Sequence, residues 1–141
     1  MPTRLSRATI LVVDDEVSLR KLLVRQLRSG GYTVLEAGYG LEALDVARAS
    51  PEPIHLVLSD IRMPGMLGTE LAKRLVVEHP GVRVVLMSAH ALDDLTSVND
   101  RRGIVQVISK PFDGQKMLAL VKLVLEAAPS VAGPSTAEPA R

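Results

Sequence analysis

The chain has 141 residues, 47% apolar and 23% charged, which fits one globular domain with a real core and excludes a disordered polyelectrolyte. Its 17 basic and 16 acidic residues leave a net charge of +1, so nothing electrostatic argues for nucleic acid or an anionic membrane as partner. Cys is absent, which removes disulfides and thiolate metal sites, and with only 2% aromatics the core must come from Val, Leu, Ile, Ala and Met.

Residues 1–7 read as a short polar arm; no apolar h-region follows, and no apolar run reaches about 18 residues, so a cytoplasmic location is the expectation. Residues 8–13 are an apolar run rich in Ile and Val, hence a buried strand, ending at Asp14-Asp15-Glu16. Leu19, Leu22, Leu23 and Leu27 then recur at helical spacing, with Arg20, Lys21, Arg25 and Arg28 on the other side, until Gly30-Gly31 stops the helix. Residues 32–36 form a shorter, more polar strand, suited to a sheet edge. A second amphipathic helix over 41–49 carries Leu41, Ala43, Leu44 and Ala47 and ends at Ser50-Pro51.

Residues 54–59 are the central strand, an apolar run driving into Asp60 and broken at Pro64-Gly65. A helix over 69–78 follows, through Leu71, Ala72, Leu75 and Val76, stopped by His79-Pro80-Gly81. Residues 82–87 are a buried strand ending at Ser88-Ala89. The span 93–102 is the weakest helix, with only Leu95 and Val98 apolar and inward. Residues 104–108 are the last strand, ending at Ser109-Lys110-Pro111, and Asp113 can cap a final helix through Met117, Leu118, Val121, Val124 and Leu125. Pro, Ala, Ser, Gly and Thr dominate 129–141, which reads as a disordered tail after a domain spanning 8–128. Five strand-helix repeats in so short a chain, with right-handed crossovers, imply an α/β fold: a doubly wound, flavodoxin-like parallel sheet of order 2-1-3-4-5, helices on both faces.

Asp14, Asp15, Asp60, Ser88 and Lys110 each fall at the carboxyl end of an apolar run. In a parallel sheet those ends share one rim, where ligands bind. Three clustered carboxylates repel one another and call for a divalent cation. Hard oxygen donors without Cys or His favour Mg²⁺. A carboxylate can attack phosphorus, with the cation and a lysine neutralising the transferred group. Taken singly, each residue has a plainer reading. Asp14-Asp15 would be a helix N-cap, Asp60 an Asx turn, Ser88 a loop cap and Lys110 a surface cation. His55, His79 and His90 are scattered, and Met63 and Met66 suit local packing.

Four motifs in order, Leu11-Val12-Val13-Asp14-Asp15-Glu16, Asp60-Ile61-Arg62-Met63-Pro64-Gly65, Met87-Ser88-Ala89 and Lys110-Pro111-Phe112, make residues 8–127 resemble a response-regulator receiver domain of two-component signalling. The resemblance implies that Asp60 is the phosphoacceptor, served by a histidine kinase or histidine phosphotransfer protein. Asp15 would ligate Mg²⁺ directly and Asp14 through water, with the backbone carbonyl of Arg62 completing the set. Ser88 would be the switch hydroxyl, Lys110 the phosphate partner, and Lys110-Pro111 a cis bond. Helix 1 would offer the partner a solvent-facing strip. Arg62 and His90 stand where the family tunes hydrolysis, and Arg62 would shield the phosphoryl group. One departure is Val107, where the family usually has Tyr or Phe; without that aromatic, a receiver-like binding module not regulated by phosphorylation is a competing reading. A Mg²⁺-dependent aspartyl-phosphate hydrolase of the haloacid-dehalogenase type is a third, but Arg62 stands where those enzymes have a second Asp.

Overall fold

The computed structural model describes residues 8–90 and 103–127. The expected arm over 1–7, the tail over 129–141 and the helix over 93–102 lie outside the described residues. The described residues form, in chain order, β1 (Thr9–Val13), α1 (Val17–Ser29), β2 (Thr33–Ala37), α2 (Gly40–Ala49), β3 (Leu56–Asp60), α3 (Gly68–Glu78), β4 (Arg83–Ser88), β5 (Ile104–Ser109) and α4 (Gly114–Glu126). All neighbouring strands pair in parallel, in the order β2-β1-β3-β4-β5. Strand boundaries fall within two residues of the sequence expectation.

The strands that read as unbroken apolar runs are the ones buried on both faces. Every residue of β1 and β3 is buried, and in β4 only Arg83 is not. The more polar β2 is an edge strand, as its composition indicates, and the half-exposed β5 closes the other edge. Side chains alternate across the sheet. Ile10, Val12, Leu56, Leu58, Val85 and Met87 pack beneath α1 and α4. Leu11, Val13, Val57, Val84 and Leu86 pack beneath α2 and α3.

Two helix faces differ from the sequence reading. In α1 the buried residues are Leu23, Val24 and Leu27, whereas Leu22 is 43% exposed. At about 100° per residue, a stripe centred on Leu23, Val24 and Leu27 leaves Leu22 well outside it, on the side that faces away from the sheet. In α2 the inward residues are Ala43, Leu44 and Ala47; Leu41, in the first turn, is 59% exposed. Asp113 caps α4 as expected, its Oδ1 accepting from the Gln115 and Lys116 amides at 2.7 and 3.4 Å. The far end of α4 is tied to the sheet by Arg83, which donates to the Val124 and Ala127 carbonyls.

Because the sheet separates two apolar compartments, Leu27→Ala and Leu44→Ala should act independently. Each side chain is fully buried, in different clusters. Each truncation is expected to cost about 3 kcal/mol. Denaturant titration of the double variant should return the sum of the two losses to within about 0.5 kcal/mol.

Candidate functional site

The carboxyl ends of β1, β3, β4 and β5 deliver the polar residues singled out above to one rim. Backbone bonds continue the ladder past the strand ends and hold the chain at Asp14, just after Asp60, and between Ser88 and Lys110. The Asp14 amide donates to the Ala37 carbonyl at 3.1 Å, Ile61 to Met87 at 3.0 Å, and Lys110 to Ser88 at 2.8 Å. Lys110-Pro111 is a cis peptide bond. Gly68, at the start of α3, closes the loop after Asp60 by donating to the Ile61 carbonyl at 2.7 Å. An ideal Cβ on Gly68 would run into the Asp60 carbonyl oxygen, so the helix can approach this closely only without a side chain there.

Asp14, Asp15 and Asp60 present carboxylate oxygens within 4.8 Å of one another. Asp14 is fully buried and Asp60 nearly so, while Asp15 is exposed. Lys110 reaches between the two buried ones, its Nζ 3.1 Å from Asp14 Oδ2 and 3.3 Å from Asp60 Oδ2. Burial pushes the Asp60 carboxyl above its ordinary value; Lys110 pulls it back, and Asp14 and Asp15 push it further up. Burial alone would lower the Lys110 ammonium, but Asp14 and Asp60 outweigh it and hold Lys110 above its ordinary value. Carboxylate oxygens form the whole candidate donor set, with no sulfur or imidazole, which suits a hard divalent cation.

Ser88 is buried on the same rim, one residue beyond the Asp60–Met87 pair, and its Oγ accepts from the His90 amide at 2.9 Å. Arg62 follows Asp60 in the β3–α3 loop with its side chain exposed. His55 sits at the opposite end of the sheet, its Nδ1 accepting from the Thr9 amide at 3.0 Å, and His79 lies at the end of α3. The N-cap role open to the acidic pair is filled only in part. Glu16, without a side-chain bond, is the N-cap residue of α1, and Asp14 Oδ1 accepts from the Glu16 amide at 2.9 Å.

One neighbour of the site runs against the sequence reading. Arg20, assigned there to the solvent side of α1, has a side chain only 15% exposed. It turns inward, donating from Nη1 to the Asp14 carbonyl at 2.8 Å and from Nε to Glu36 Oε1 at 2.9 Å. The signal available was Glu36, a carboxylate in a short strand, which proves to pair in register with Val12 beside the acidic pair.

A doubly wound α/β domain with an acidic pocket and a lysine on the carboxyl rim of its sheet has the architecture of a phosphoacceptor signalling domain. The chain belongs to the response regulator receiver domain family, whose model matches residues 10–122. It is 36% identical over 116 residues to sporulation initiation phosphotransferase F of Bacillus subtilis, covering 82% of this chain and 92% of that protein. It is 39% identical over 118 residues to the DNA-binding transcriptional regulator NtrC of Escherichia coli, covering 84% of this chain but only 25% of that much longer relative. Among solved structures it resembles the response regulator protein TrrA from Thermotoga maritima in complex with Mg²⁺-BeF, with a TM-score of 0.73, 29% identity, and coverage of 83% of this chain and 98% of that one. Among the described residues no helix is long and apolar enough to cross a membrane.

Proposed function

We propose that this receiver domain takes a phosphoryl group from a phosphohistidine onto Asp60, and that the resulting charge switches the binding of a downstream protein. The observation that supports it most is the meeting of Asp14, Asp15 and Asp60 within 4.8 Å with Lys110 bonded between two of them. Asp14, Asp15, Asp60 and the Arg62 backbone carbonyl would hold Mg²⁺, the ion in the Mg²⁺-BeF complex of TrrA. When bound, that ion supplies charge neutralisation at the phosphoryl oxygens. An Asp60 carboxylate oxygen forms the new P–O bond as the donor's P–N bond breaks, and the released imidazole nitrogen takes a proton from solvent. Lys110, already fixed against Asp60, then pairs with the phosphoryl oxygens. The Ser88 hydroxyl, whose oxygen accepts from the His90 amide, would donate its hydrogen to that group, which is how local chemistry would reach the loop after β4. The donor would be a histidine kinase or histidine phosphotransfer protein, and the domain, spanning 8–128, would work in the cytoplasm without contacting nucleic acid itself.

Incubation of the chain with a small phosphodonor and Mg²⁺ tests this. One phosphoryl mass should appear on Asp60 and be absent from Asp60→Asn. Continuous phosphate release without accumulation would favour a hydrolase, and no modification at all would favour a binding module independent of phosphorylation.

A further inference from the structure

We propose that Arg20, anchored by Glu36, is a positioning residue for the cation site: it holds the peptide joining Asp14 to Asp15 so that both carboxylates face Asp60. The proposal rests on the reading that these carboxylates bind a divalent cation. Burial restrains Asp14, but Asp15 is exposed and has no such restraint. The direction of its carboxylate is set by the peptide before it. Arg20 Nη1 grips that peptide at the Asp14 carbonyl, 2.8 Å away.

The guanidinium is itself fixed by a second element. Its Nε donates to Glu36 Oε1 at 2.9 Å, and Lys21 Nζ holds the other Glu36 oxygen at 3.0 Å. Burial works to raise the Glu36 carboxyl, but the hydrogen bonds from Arg20 and Lys21 outweigh it and keep Glu36 below its ordinary value. Gly38 leaves the space this needs, since an ideal Cβ there would lie 3.0 Å from Arg20 Nη1. A planar fork presents two separate nitrogens, one to the carbonyl just past β1 and one to the carboxylate on β2, in a fixed geometry; a lysine has a single nitrogen and would have to give up one acceptor or shift the other.

The electrostatic effect of Arg20 has the opposite sign, which makes the proposal decidable. A cation beside an acidic cluster repels a second cation, so charge alone predicts tighter Mg²⁺ binding when Arg20 is removed. Positioning predicts weaker binding, by roughly tenfold, the scale typical of groups that orient metal ligands. Mg²⁺ should be titrated against the full chain by amide chemical shifts, for the wild type, Arg20→Ala and Arg20→Lys. Both variants are expected to bind about tenfold more weakly. At saturating Mg²⁺, their labelling by a small phosphodonor should return to the wild-type rate. Unchanged affinity in Arg20→Lys, or tighter binding in Arg20→Ala, would overturn the proposal. If Arg20→Ala does not fold, Arg20→Lys, which keeps the charge and the alkyl stem, decides the question. A wild-type chain that binds no Mg²⁺ would instead overturn the underlying reading of the acidic site.

Discussion

Lys110→Met should cost the fold about 3 kcal/mol in denaturant titrations without Mg²⁺, while making Mg²⁺ bind more tightly. The stability loss follows from leaving Asp14, fully buried, without the ammonium that now lies 3.1 Å from its Oδ2. Methionine keeps most of the side-chain volume, so the loss is one of charge rather than packing. The tighter binding follows because Lys110 competes with any cation for Asp14 and Asp60. On the proposed function, labelling of Asp60 should nevertheless fall about a hundredfold, since Lys110 would no longer neutralise the transferred oxygens. Its pH dependence should move in a defined direction. Asp60 already sits above its ordinary value because it is buried, and Lys110 is the strongest influence holding it down. Without Lys110 the carboxylate protonates at higher pH, so labelling fails earlier as pH falls. A rate-against-pH profile that does not move would contradict this account of the site.

Gly68→Val should be the most damaging substitution of a glycine in the β3–α3 loop and α3. The side chain would meet the Asp60 carbonyl oxygen, and its Cβ would also come within 3.0 Å of Ile61 Cα and 3.1 Å of the Asp60 carbonyl carbon. All three are backbone atoms and cannot swing aside. The start of α3 would have to retreat, stretching the 2.7 Å bond from the Gly68 amide to Ile61 and shifting Asp60 itself. A loss of about 3 kcal/mol in denaturant titration, with labelling of Asp60 largely lost, is the expected result. Gly65→Ala in the same loop is the control. Gly65 has φ +86° and nothing within 4 Å of an ideal Cβ. It should lose only the cost of forcing an L-residue into left-handed backbone, about 1 kcal/mol.

These two residues show where the sequence is legible and where it is not. Lys110 could be placed near Asp60 from sequence because both end apolar strands, and parallel strands put such ends on one rim. The closer approach of Lys110 to Asp14 than to Asp60 was not visible, because spacing along the chain carries no distance across the sheet. Nor does spacing distinguish Asp14, which is buried, from the adjacent and exposed Asp15. Gly68 was missed because its φ is ordinary and its role is crowding, which has no local pattern. Arg20 was misplaced for a related reason. A cation on a helix reads as a solvated face until a strand elsewhere supplies its acceptor, here Glu36. The apolar stripes fared better: Leu71, Ala72 and Leu75 of α3 and Met117, Val121 and Leu125 of α4 are all inward, since the 3.6-residue period is local.

The alternation across the sheet fixes something about which changes in length the chain can accept. Within β1, Ile10 and Val12 belong to one apolar compartment, and Leu11 and Val13 to the other. An indel of a single residue inside β1 or β3 reverses that parity for everything on one side of it, up to the next loop. Either the leucines and valines exchange compartments, or Asp14 and Asp60 no longer aim toward each other. A change of length between a strand and a helix leaves this parity intact, but inside these two strands the count leading to each carboxylate is quantised.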